Sequence, residues 1–237
     1  MNIFFRKIRK RLIGQKRLNK YLIYAVGEIF LVVIGILIAL SINNWNSARK
    51  DRQREAVLLN QIHRDFSSNK LQLDSILAFH RQKILKTQEL IALMTTAGDS
   101  SIIEYMLKGA NDIVGVKTFN PQNGSVDALI NSSTFELVSN DSLRGLLVSW
   151  RGIYADFNEE QQSATRYMTD HFLPFFRKQF DYLNPYAKGN LDLIRSIEFQ
   201  NIWFDSQIQS QFILDAAKDE KVEVYINDII KLTSTYD

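Results

Sequence analysis

Tyr21–Ile42 reads YLIYAVGEIFLVVIGILIALSI, 22 residues with a single charge, Glu28. A helix of this length, rising about 1.5 Å per residue, spans roughly 33 Å, enough for the hydrocarbon core of a bilayer. Lipid offers no partner to a backbone N–H or C=O, so an apolar run this long reads as a transmembrane helix. No second run of comparable length follows. The expected architecture is a basic tail over residues 1–20, a transmembrane helix over 21–42 and one further domain over 43–237.

Charge sets the expected orientation. Residues 1–20 hold eight bases and no acid, whereas the chain after residue 42 holds 21 bases against 25 acids. The net charge of +3 therefore comes from the tail, and a basic cluster beside a membrane span argues for the cytoplasmic side rather than for a nucleic-acid partner. Tyr21 and Tyr24 at one end of the span and Trp45 at the other suit the headgroup level, as interfacial anchors. The run exceeds the 7–15 apolar residues of a cleaved signal, so it is expected to remain as an anchor. The chain has no cysteine, so the outer domain must build its core without disulfides.

Within the span, Gly35 and Ala39 lie about 20° to either side of Glu28 at 100° per residue. The three form one stripe, and Gly35-xxx-Ala39 is a small-xxx-small spacing that admits a neighbouring helix. The expected partners are the bilayer, and a second copy or another membrane protein.

Beyond Trp45 a long amphipathic helix is expected over about 49–96. Its seam is Leu59, Ile62, Phe66, Asn69, Leu73, Ile76, His80, Lys83, Thr87, Leu90 and Met94, at alternating steps of three and four. Four positions in that seam are polar. No Pro or Gly occurs between Gly35 and Gly98, so span and helix can form one rod unless Asn43-Asn44 breaks it.

A short helix is expected from Ser101 to Gly109, then an irregular stretch over Asn111–Ser125. In it Val116–Phe119 has strand character but no evident strand partner. A brief helix around Ser125–Asn131 follows. Asn140 is placed to cap a second long helix, with the seam Leu143, Leu147, Trp150, Tyr154, Phe157, Gln161, Ala164, Met168 and His171, stopped or kinked at Pro174. Asn190 is expected to cap a helix through Ile197. A last helix from about Asp205 presents Ile208, Phe212, Val222, Ile226 and Ile229. The fold class expected is all-α, a helical bundle outside the cytoplasm with long amphipathic helices.

The stretch from Gly27 to Leu40, GEIFLVVIGILIAL, followed by Ile42–Asn46, INNWN, resembles a family of uncharacterised bacterial single-pass membrane proteins, a domain of unknown function. Phe4–Lys7 (FFRK) belongs to the same look. The resemblance implies the inner membrane of an envelope-bearing bacterium and no particular activity; with the orientation set by charge, residues 43–237 are expected in the periplasm.

Motifs of chemistry are absent from the sequence: no His-Glu-x-x-His, Gly-x-Ser-x-Gly, Walker loop or dinucleotide fingerprint occurs. No enzyme, cofactor or metal is expected. One metal arrangement is conceivable. If the helix from residue 141 starts level with residue 95 and runs back, His171 with Asp170 meets His63 with Asp65. The expected function is binding or scaffolding of a partner from a membrane anchor. The alternative is a ligand sensor signalling through a partner, because about 20 cytoplasmic residues leave no room for an output domain.

Overall fold

The computed structural model describes residues 18–234. Residues 1–17 of the basic tail and the Tyr21 side chain lie outside the described residues. Among those described the chain is all helical, with no strand. The first helix, α1, runs unbroken over Leu18–Thr96, so Asn43-Asn44 does not interrupt it. Contacts divide the chain into two units, Met1–Arg54 and Glu55–Asp237. In the first, none of the most apolar stretch is buried against the rest of the chain, leaving a helix long and apolar enough to cross a membrane.

The second unit is a bundle. After Gly98 come α2 (Asp99–Ile113), an extended segment over 114–123, α3 (Gly124–Ile130) and a 3₁₀ turn (Ser133–Leu137). The helix α4 (Asp141–Tyr167) continues through a π turn (Met168–Phe172) into α5 (Leu173–Gln179). Then come α6 (Lys188–Leu193), α7 (Ile197–Asp219) and α8 (Val222–Thr233).

All eleven seam positions of α1 are buried, the polar four included. Asn140 caps α4 as expected, its Oδ1 accepting from Leu143 N–H at 3.0 Å. Several boundaries differ from expectation for identifiable reasons. Helix α2 passes through Gly109 to Ile113, because Ile102, Ile103, Met106 and Ile113 share a buried face. Pro174 neither stops nor follows a clean α turn. It stands in the first turn of α5, where an N–H is dispensable, after a widened π turn. That turn shifts the seam by one residue, so Phe172 is buried and His171 is exposed. Asn190 lies inside α6 and is buried rather than capping it.

The last helix starts earlier, capped by Ser196 Oγ on Phe199 N–H at 3.1 Å, and breaks at Lys221, which adopts φ +55°. The buried face of α7 is Phe199, Trp203, Ser206, Ser210, Ile213 and Ala217. Ile208 is partly exposed and Phe212 is exposed; the serines hid the true stripe from a hydropathy pattern.

Register follows from long-range contacts. Arg195 Nη1–H donates to Met94 O at 2.5 Å, His80 meets Ser210 at 3.2 Å, and Lys70 meets Glu223 at 3.3 Å. As the first numbers fall the second rise, so α7–α8 run antiparallel to α1. Glu55 bonds Ser139 at 2.7 Å, and the Phe66 and Trp150 rings lie 5.2 Å apart. Both numbers rise together, so α4 runs parallel to α1 and starts level with Glu55. The expected antiparallel start near residue 95 is thus corrected. The extended segment carries the chain back along α1 before α4 begins.

Two apolar clusters result. One gathers Leu59–Leu77 of α1 with Trp150, Phe157, Ile213 and Ile226. The other gathers Leu90 and Met94 with α2, Phe172, Phe176, Phe199 and Trp203.

Candidate functional site

Between those clusters each long helix is polar at the same level. His80, Lys83 and Thr87 of α1, Gln161 of α4, and Ser206 and Ser210 of α7 are all buried. Buried polar groups demand partners, and His80, Lys83 and Gln161 find them, with Asn69 and Gln72 nearer the lower cluster, on one strip of main chain. Asn69 Nδ2–H donates to Gln122 O at 3.2 Å while its Oδ1 accepts from Gln122 N–H at 2.7 Å. Asn120 N–H donates to Gln72 Oε1 at 3.1 Å. Phe119 N–H donates to Gln161 Oε1 at 2.5 Å. His80 Nε2 lies 2.9 Å from Lys117 O. Lys83 Nζ donates to Gly115 O at 2.8 Å.

From Asn69 to Lys83 is 14 helical steps, about 21 Å; from Gly115 to Gln122 is seven extended steps, about 23 Å. The two lengths match, so an extended segment can lie along the helix and be paired by side chains in place of a neighbouring strand. This supplies the partner that Val116–Phe119 lacked in the sequence. It also accounts for three polar breaks in the seam, Asn69, His80 and Lys83, each matched to a main-chain group. Lower down, Glu55 Oε1 accepts from both the N–H and the Oγ–H of Ser139, at 2.7 Å each.

The electrostatics follow from burial. A carbonyl can only accept, so His80 holds its proton on Nε2, and neutral Nδ1 accepts from the Ser210 hydroxyl. Burial, with the cations Lys83 and Lys117 nearby, pushes the His80 pKa down to about 4. Burial alone lowers Lys83 to about 8. Thr87 Oγ1, Ser206 Oγ, Gln161 Nε2 and Trp203 Nε1 are buried in this region without a partner.

Beside the upper cluster is a cavity of about 440 Å³. Met106 and Ala110 of α2, Phe172 and Phe176 on the π turn and α5, Phe180 beyond it and Trp203 of α7 form most of its wall. Phe172 and Trp203 meet edge to face at 5.0 Å, and Phe176 and Trp203 at 5.6 Å. Nothing in the sequence pattern announced this cavity, because its walls come from elements about 30 to 100 residues apart, α2 at Met106, Phe172 and Trp203.

The histidines do not converge as the conceivable metal site required. His63 Nδ1–H donates to Ile230 O at 3.2 Å and lies 3.1 Å from Thr233 Oγ1, whereas His171 sits against the Tyr167 ring. Because α4 runs parallel to α1, residue 171 falls well above residue 63. Among the described residues no group of three or more potential ligands gathers. Of the span residues, Glu28 is partly exposed, Gly35 and Ala39 are exposed, and Tyr24 and Trp45 are exposed.

Fold and sequence together define an all-helical protein with one N-terminal helix apolar enough to span a membrane and a helical bundle beyond it. The chain belongs to the family of unknown function DUF6090, whose profile matches residues 28–157. The matched range begins at Glu28 and includes all of the Asn69–Lys83 column and the 114–123 segment. It includes only the α2 wall of the cavity. No curated protein and no solved structure matches the chain.

Proposed function

We propose that the protein is a binding or scaffolding protein, not an enzyme, anchored in a bacterial inner membrane. In this reading the N-terminus is cytoplasmic and the Glu55–Asp237 unit lies in the periplasm. The observation that carries the reading is the span itself, with apolar side chains exposed on every side and Glu28, Gly35 and Ala39 on one stripe. A Cβ added at Gly35 would meet nothing within 4 Å, so this chain's own packing does not require the glycine there. A second helix would use it, because the missing side chain lets two backbones approach, and Glu28 offers a hydrogen bond from the same side. The partner is a second copy or another membrane protein, with the bilayer as surroundings. Binding rather than catalysis is supported by the bundle's polar column, most of whose paired groups hold the protein's own main chain.

The test is a membrane two-hybrid assay on the full chain. Gly35→Ile should weaken association by about tenfold, the worth of one or two intramembrane contacts. Glu28→Gln should weaken it less, since the amide keeps a hydrogen bond, and Val33→Ile on the far side should leave it unchanged. Equal signals from all four chains would refute the association. A second reading, ligand sensing coupled through that partner, is favoured by the apolar cavity beside the upper cluster.

A further inference from the structure

The turns of α1 just beyond the apolar run are bare and basic. Residues 43–50 are all exposed, as are Arg52 and Arg54. Asp51 is taken by Arg54 at 3.4 Å. Arg49, Lys50 and Arg52 form no ion pair among the described residues. Three cations within four residues thus face outward with no negative charge from the chain itself.

Their placement on the helix says where that charge comes from. At 100° per residue, Arg49 and Arg52 lie about 40° and 20° to either side of Trp45, so the three share one face. Lys50 lies about 140° away, on the other side. Trp45 stands about 4.5 Å past Ile42, inside a headgroup layer roughly 5–7 Å deep. Arg49 stands about 10.5 Å past Ile42, above that layer. Helical side chains tilt toward the N-terminus of their own helix, and for α1 that is the side of the apolar run. An arginine reaching back about one turn, roughly 5.4 Å, brings its guanidinium to the headgroups and keeps its stem along the helix. Arg52 follows about 4.5 Å higher on the same face. With the same tilt its charge lies within one Debye length of the headgroups, about 8 Å in physiological salt.

We infer that Trp45, Arg49 and Arg52 hold the headgroup of an anionic phospholipid. The guanidiniums donate to its phosphate oxygens, for which their planar fork is suited, and the indole lies at the same level. A zwitterionic headgroup carries its own ammonium beside the phosphate and so competes poorly for unpaired cations. The inference rests on the reading of α1 as a membrane span and is independent of helix association.

The test is fluorescence quenching on the full chain in nanodiscs. Trp45 is 61% exposed, whereas Trp150 and Trp203 are at most 1% exposed, so a quencher carried by lipid reads Trp45. All discs hold the same mixture of phosphatidylglycerol and phosphatidylcholine. A small, equal fraction of one lipid or the other is brominated high in its acyl chains. Each base near the surface favours anionic lipid about fivefold, so brominated phosphatidylglycerol should quench Trp45 severalfold more strongly than brominated phosphatidylcholine. Arg49→Gln combined with Arg52→Gln keeps helix propensity at two exposed positions and should bring the two lipids level. Equal quenching by both lipids in the parent chain overturns the inference and leaves the span standing. Quenching by neither overturns the span, and the inference with it. A preference that survives the double variant overturns the assignment to Arg49 and Arg52. So does a preference abolished by inorganic phosphate but not by chloride of equal ionic strength, which would make free phosphate the ligand.

Discussion

Protonating His80 should open the contact between α1 and the extended segment, and the size of the effect can be worked out. In the folded protein His80 is neutral, with Nε2–H on Lys117 O and Nδ1 accepting from Ser210. Its charged neighbours are both cations, Lys83 on its own helix and Lys117 on the segment; α7 contributes the neutral Ser210. The folded pKa is about 4 against an ordinary 6.5. Between those values the unfolded chain binds the proton and the folded chain does not, so stability falls as pH falls. The contribution is fully present above about pH 6.5, declines from there to about pH 4, and is gone below. A gap of this size corresponds to about 3 kcal/mol at 1.36 kcal/mol per unit. The assay is urea unfolding of the full chain in nanodiscs, followed by tryptophan fluorescence, at pH values from 4 to 8. Carboxylates with lowered pKa, such as Asp181, also release stability in acid. The informative quantity is therefore the difference between the parent and His80→Gln, whose amide can still donate to Lys117 O and accept from Ser210. The parent should lose about 3 kcal/mol more than the variant between pH 6.5 and 4. Parallel curves for the two chains would refute the assignment of a buried neutral imidazole at this position.

Lys83 and Asn190 extend the test to other buried polar groups. Lys83→Met keeps the stem and removes a desolvated charge, at the cost of orphaning Gly115 O, so it should change stability by less than about 1.5 kcal/mol. Lys83→Ala leaves a cavity as well, and should cost about 2–4 kcal/mol in the same unfolding assay. Asn190 joins four main-chain groups of the 181–185 turn, accepting from Asp181 N–H and donating to the carbonyls of Asp181, Asn184 and Pro185. Asn190→Asp cannot donate to carbonyls when ionised, so hydrogen exchange over 181–187 should accelerate by about tenfold or more, with little change over 59–77.

The sequence by itself determined the elements that depend on local periodicity. A 22-residue apolar run with one charge has one reading as a helix, and a three-four spacing held for eleven positions places one helical face inside. The polar members of that seam were legible only as interruptions of its spacing; the structure buries them with the rest. The Asn140 cap was legible too, since a cap is settled within four residues. The tertiary structure alone decided what those polar residues are for. Asn69, His80 and Lys83 look like flaws in a heptad until a segment 32 to 53 residues away lies alongside and needs its N–H and C=O groups paired. That same segment carries the chain back down α1, so α4 runs parallel to it, and this separates His63 from His171. The one-residue shift at the π turn buried Phe172 in place of His171, and two serines concealed the packed face of α7. The cavity beside Trp203 was invisible for the same physical reason. Periodicity records whether a residue faces inward, but which groups meet there depends on chain direction and register, and both are settled by contacts between residues far apart in the sequence.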